Sequence, residues 1–159
     1  MGGLIIFTAI AVPYFLLTNL DARSLGVIGV ALSRGATVIN DCYNANPLSM
    51  RAALDDLAMQ QPAGRRVAVL GDMLELGPDE DRFHAEVGAH ARDAGVDVLV
   101  AVGPRAAHFA DGYGEVIALP DAAAAAAAVP GLLEPGDTVL LKASRGVGLE
   151  VVARALEGA

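Results

Sequence analysis

The sequence holds a single cysteine, Cys42, so no disulfide can form within the chain, which fits a reducing compartment. Positive charge is also in deficit: 11 Lys and Arg stand against 19 Asp and Glu, a formal net charge of -8. That balance argues against nucleic-acid binding driven by phosphate contacts, although local backbone amides can still hold a small anion. No G-x-x-x-x-G-K-[ST] stretch occurs, so the chain has no Walker-type phosphate loop. Neither the His/Cys spacing of a zinc site nor a nucleophile beside an evident base is found. Residues 1–20 lack charged side chains altogether.

The hydrophobic fraction is 54% over 159 residues, enough for one compact domain with a substantial core, and the 18 glycines suit a fold with many tight turns. Its first stretch differs from the rest. Residues 4–17 read LIIFTAIAVPYFLL, and with their uncharged flanks they approach the length of a membrane span. No Lys or Arg precedes the run, so it does not read as a signal peptide. Pro13 would kink a helix there, which a membrane tolerates better than water does. A second apolar run covers 25–32, and the composition changes near Ser33 and Arg34. The expected division is a transmembrane-like segment over 1–32 and a domain over 33–159.

From residue 35 onward strands and helices alternate. Short apolar or β-branched runs at 37–39, 66–70, 96–102, 115–119 and 138–141 read as strands. Between them, Asn46-Pro47 starts a helix reaching about residue 61, and residues 79–94 form a second. A short helix follows Gly103-Pro104, Asp121 caps a run of seven alanines, and a last helix covers about 147–156. Continuous apolar strands are buried on both faces, so the pattern implies an α/β fold with a Rossmann-like, doubly wound, mainly parallel sheet of about five strands. Ligands of such sheets gather beyond the carboxyl ends of the strands.

Three loops fall there. In 41–47 (DCYNANP), Tyr43 offers a flat face for a base, while Asn44 and Asn46 can both donate and accept; Asn46 alone would also be explained as a helix cap. In 71–77 (GDMLELG), Asp72 lies just past a strand end, placed to hold an ammonium group. The acids Asp79, Glu80 and Asp81 that follow complement a helix dipole. In 142–148 (KASRGVG), two cations, a hydroxyl and two glycines suit a carboxylate or phosphate. His84 could reach a ligand near the acidic loop, His90 and His108 belong on helix surfaces, and Cys42 is read as a non-catalytic loop residue.

The strings VINDCYNANPLSMRAALDDL, VAVLGDMLELG with FHAEVG, and VLLKASRG with LEVVARAL come in one order over roughly residues 33–157. Together they resemble the C-terminal domain of the UDP-MurNAc-tripeptide–D-alanyl-D-alanine ligase (MurF) branch of the Mur ligases. That resemblance implies ATP-dependent amide bond formation through an acyl phosphate, with ATP and Mg²⁺ serving the intact enzyme. It also implies a domain that closes over a central ATPase domain, with a third domain holding the UDP-sugar. By the same resemblance Asp41, Tyr43, Asn44 and Asn46 would line the nucleotide side. Asp72, Glu75, His84, Lys142, Ser144 and Arg145 would face the dipeptide or the reacting phosphate. No phosphate loop, Mg²⁺ site or UDP-sugar pocket is present in the sequence, so the chain alone is expected to be inactive and to bind no Mg²⁺.

The segment 1–32 resembles an early transmembrane helix, and the start of the next, in the phospho-MurNAc-pentapeptide transferase (MraY) family, without that family's catalytic aspartates. The expected partners are the ligase's other two domains, ATP, D-Ala-D-Ala and the UDP-MurNAc-tripeptide. No nucleic acid is expected, and membrane contact would run through residues 1–32. The expected compartment is the bacterial cytoplasm, with membrane association only through that segment. The residues leave a second reading open: a membrane-tethered, non-enzymatic Rossmann-like module that binds a nucleotide or a partner.

Overall fold

The computed structural model describes residues 29–33 as backbone, and residues 35–158 in full. Six strands form one sheet in the order β1-β2-β6-β3-β4-β5. They are β1 (Gly29–Ser33), β2 (Ala36–Asp41), β3 (Arg66–Gly71), β4 (Val98–Val102), β5 (Ile117–Leu119) and β6 (Thr138–Lys142). β2 to β6 run parallel, so the expected five-strand parallel sheet is present. The helices are α1 (Pro47–Met59), α2 (Glu80–Asp93), α3 (Phe109–Tyr113), α4 (Ala122–Leu132) and α5 (Glu150–Glu157).

β1 departs from the sequence reading. Residues 29–32 fall in the expected transmembrane-like segment 1–32, at the start of what reads as a second transmembrane helix, and Ser33 opens the expected domain. Instead Gly29 pairs with Asn40 and Ser33 with Ala36, an antiparallel hairpin on β2 turning through Gly35 at φ 82°. A run this short satisfies its backbone as well in a sheet as in a helix, and periodicity alone cannot separate the two. The remainder of the membrane-like reading, residues 1–28, lies outside the described residues. Among those described, no helix is long and apolar enough to cross a membrane.

Alternation along the strands explains why the core reads as unbroken apolar runs. Val67, Val69, Val100, Val102, Val139 and Leu141 face one side, where α4 and α5 pack with Ala125, Val129, Val152 and Leu156. Ala68, Leu70, Leu99, Ala101 and Leu140 face the other, where α1, α2 and α3 contribute Met50, Leu54, Val87, Ala91 and Phe109. With helices on both faces, neither side of the central strands meets water. Two helix starts follow the local sequence. Asn46 Oδ1 accepts from the Ser49 N–H at 2.9 Å while Ser49 Oγ accepts from the Asn46 N–H at 3.1 Å, a reciprocal cap. Asp121 Oδ1 accepts from the Ala124 N–H at 2.8 Å and starts the alanine-rich helix.

Candidate functional site

Parallel strands deliver the loops after β2, β3, β4 and β6 to one edge of the sheet. β6 lies between β2 and β3, so the loop after β6 touches both neighbours. Asp41 and Lys142 are register partners at the ends of β2 and β6. Lys142 Nζ donates to Asp41 Oδ2 at 2.6 Å and to the Asn44 carbonyl at 2.9 Å, with the lysine side chain only 2% exposed. Two residues on, Ser144 Oγ accepts from the Leu74 N–H at 2.9 Å and donates to the Ala45 carbonyl at 3.3 Å. The Ser144 N–H donates to the Asp72 carbonyl at 3.1 Å. Lys142 and Ser144, expected to face a substrate, are therefore turned into the protein, where they join the first and second loops to the last.

The second loop is similarly closed. Asp72 is buried, and its Oδ1 accepts from the Ala106 N–H at 2.7 Å. Its other oxygen lies 3.7 Å from the Arg105 guanidinium, which donates to Glu80 at 2.8 Å. Gly103, at φ 110°, is required opposite it, because a Cβ there would sit 2.6 Å from Asp72 Oδ1. His84 is fully buried against Phe109, its Nε2 accepting from the Met73 N–H at 3.0 Å and its Nδ1 facing the Glu80 carbonyl at 2.7 Å. Both ring nitrogens are occupied by backbone, and burial pushes its pKa below the ordinary histidine value. Asp72 and His84 thus hold the loop rather than face outward.

What remains outward is a small set. Tyr43 is 58% exposed, and the exposed Arg145 guanidinium stands 5.7 Å from its ring centroid. Arg145 makes none of the ion pairs found among the described residues. Asn44 is exposed; its Oδ1 accepts from the Ala45 N–H at 2.8 Å, which leaves its amide N–H₂ pointing to no described partner. Asp41 is partly buried on Lys142, and Asn46 is occupied as the α1 cap. Glu75 is exposed with φ 63°, the one described non-glycine residue with positive φ.

Cys42 is buried, its thiol 3.6 Å from the Leu141 carbonyl, and burial with the charges of Glu150 and Asp41 pushes its pKa up to about 12. No thiolate nucleophile is available there at neutral pH. His90 and His108 lie partly exposed on the surface, against Asp55 and against Asp81 and Asp111. Among the described residues no three His, Cys, Asp or Glu side chains are grouped to hold a metal ion. What sequence reasoning missed is the part played by Arg105, which joins Asp72 to Glu80 across two loops; no local motif marks it.

The family model described as Mur ligase, glutamate ligase domain, matches residues 27–145. Curated relatives include the UDP-N-acetylmuramoyl-tripeptide–D-alanyl-D-alanine ligase of Mycobacterium leprae, 41% identical over 145 residues, covering 78% of this chain and 28% of that protein. The ligase of the same name from Escherichia coli is 37% identical over 145 residues, covering 89% of this chain and 31% of that protein. Among solved structures, the MurF ligase from Thermotoga maritima in complex with ADP has a TM-score of 0.71 at 28% identity, covering 93% of this chain and 34% of that one. The chain spans about a third of the length of these relatives.

Proposed function

The chain belongs to the Mur ligase C-terminal domain family and corresponds to the C-terminal domain of MurF-type ligases, and from that premise we propose that it forms one wall of the cleft in which an ATP-dependent ligase joins D-Ala-D-Ala to a UDP-MurNAc-tripeptide for peptidoglycan synthesis. In that reaction the tripeptide carboxylate takes the γ-phosphoryl of ATP, the dipeptide amine attacks the acyl phosphate, and phosphate leaves. Positioning and charge neutralisation dominate such transfers. On this reading Tyr43 supplies a face for the base and Asn44 a hydrogen-bonding edge. Arg145 supplies a cation that can pair bidentately with phosphate or carboxylate. Glu75 lies on the adjoining loop toward the amino substrate. On the same reading the Mg²⁺ of the reaction would be held by the ligase's central domain, while Asp41 and Asp72 of this chain are engaged by Lys142 and by Ala106 and Arg105. The compartment proposed is the bacterial cytoplasm, where such precursors are joined.

The observation that carries this reading is the exposed Tyr43–Asn44–Arg145 set at the carboxyl edge, beside Asp41, Asp72, His84, Lys142 and Ser144, which are engaged with other side chains or with backbone. Its test is an NMR titration of the ¹⁵N-labelled chain with ADP. One wall of a cleft leaves a ligand largely hydrated, so the expected affinity is weak, about -4 kcal/mol or millimolar. Saturable shifts confined to residues 41–46 and 142–148 are the expected result. Shifts elsewhere, or none at these loops, would remove the nucleotide assignment.

A further inference from the structure

Lys142 is the chain's one lysine, and it occupies a place where an ammonium group is costly. Such a pair is weak evidence for stability by itself, since apolar residues of similar volume often serve as well. What distinguishes this one is its second acceptor. Besides Asp41, the ammonium donates to the backbone carbonyl of Asn44, inside the turn that displays Tyr43 and the Asn44 amide. Ser144, from the same loop, donates to the next carbonyl, Ala45. The two donors grip consecutive peptide groups of a turn whose Cys42 and Ala45 side chains are buried and whose Tyr43 and Asn44 side chains are exposed.

We infer that Lys142 is a positioning residue: it fixes the Asn44 carbonyl, with Asp41 as the counter-charge, and so presets the Tyr43–Asn44 turn for its ligand. A ligand contact by Lys142 itself is not compatible with a side chain 2% exposed whose ammonium is held by two acceptors. The ligand-facing cation of the loop is Arg145, three residues further on. A turn held in its binding geometry before the ligand arrives avoids an ordering penalty on binding. This inference rests on the nucleotide-wall reading for its ligand, but the order of the turn can be measured without one.

The test uses the full ¹⁵N-labelled chain and the variants Lys142→Met, Asp41→Asn and the double change Asp41→Asn with Lys142→Met, which leaves no unpaired charge. Thermal unfolding, amide exchange at residues 43–45 and ADP titration are compared. The double variant is expected to unfold as cooperatively as the original chain. Its exchange at residues 43–45 should nevertheless quicken at least tenfold, and its ADP affinity fall at least fivefold. Asp41→Asn unpairs a buried ammonium and lowers stability, yet it keeps that ammonium on the Asn44 carbonyl, so exchange at residues 43–45 should rise less than in Lys142→Met. A folded double variant with unchanged exchange at residues 43–45 would overturn the inference. So would an Asp41→Asn variant whose exchange rises as much as that of Lys142→Met, and this comparison decides the matter even if the double variant does not fold. An original chain without ADP shifts would overturn the nucleotide wall instead, leaving the exchange rates to judge the brace.

Discussion

At the scale of single residues, polar side chains near the sheet edge divide by orientation. Asp41, Asp72, His84, Lys142 and Ser144 are engaged with one another or with backbone, whereas Tyr43, Asn44 and Arg145 face outward. Residue type and spacing placed all of them near the carboxyl edge of the sheet but did not reveal this division. A lysine after a strand can meet a ligand or a neighbouring aspartate, and the choice depends on contacts 101 residues apart in sequence. His84 gives a prediction at this scale. Burial holds its native pKa below the ordinary value, so the unfolded chain binds a proton at pH values where the native state does not. Its stabilising contribution is therefore complete above about pH 6.5, the unfolded value, and declines as the pH falls toward the native one. His108, whose pKa is raised by its hydrogen bond to Asp111, acts in the opposite direction, but it is 41% exposed and contributes little. The melting temperature should fall between pH 7 and pH 5. His84→Gln should melt lower at pH 7 and lose most of that slope; parallel pH profiles for the two proteins would contradict the assignment.

At the scale of elements, α2 and α3 meet through glycine. A Cβ on Gly88 would lie 2.1 Å from the Phe109 carbonyl oxygen, and one on Gly112 would lie 2.0 Å from the Ala85 carbonyl oxygen. Backbone atoms cannot swing aside as a side-chain tip can, so the helices would have to separate. Gly112→Ala should cost about 1–3 kcal/mol, read as a lower midpoint in urea with an unchanged slope. A midpoint within error of the original would mean that α3 shifts easily. The contact matters for the site because α3 follows the loop whose Ala106 N–H holds Asp72. The parallel strands were legible from sequence, since a strand covered on both faces is a continuous apolar run, and the turn residues around RVAVL and TVLLK and the β-branched side chains within them favour strand over helix. β1 was not, because its residues continue an uncharged apolar stretch and only pairing with β2 distinguishes it.

At the scale of the whole molecule, doubly wound topology places β6 between β2 and β3 and thereby makes the last loop the junction of the site. The position of the candidate site was therefore legible once strands alternated with helices, whereas its internal wiring was not. The same topology leaves Tyr43, Asn44 and Arg145 on a single open wall, which accords with a chain spanning about a third of the length of its relatives. The proposed function requires that this wall meet the nucleotide or the reacting groups. It is tested most directly by steady-state kinetics on an intact ligase carrying this domain, with Asn44→Ala and Arg145→Ala compared against Asp55→Ala, an exposed change on α1. Each of the first two should lower kcat/KM by on the order of tenfold or more, as expected for the loss of one good polar contact, while Asp55→Ala leaves it unchanged. Near-normal kcat/KM for both Asn44→Ala and Arg145→Ala would mean that neither side chain meets the nucleotide or the reacting groups.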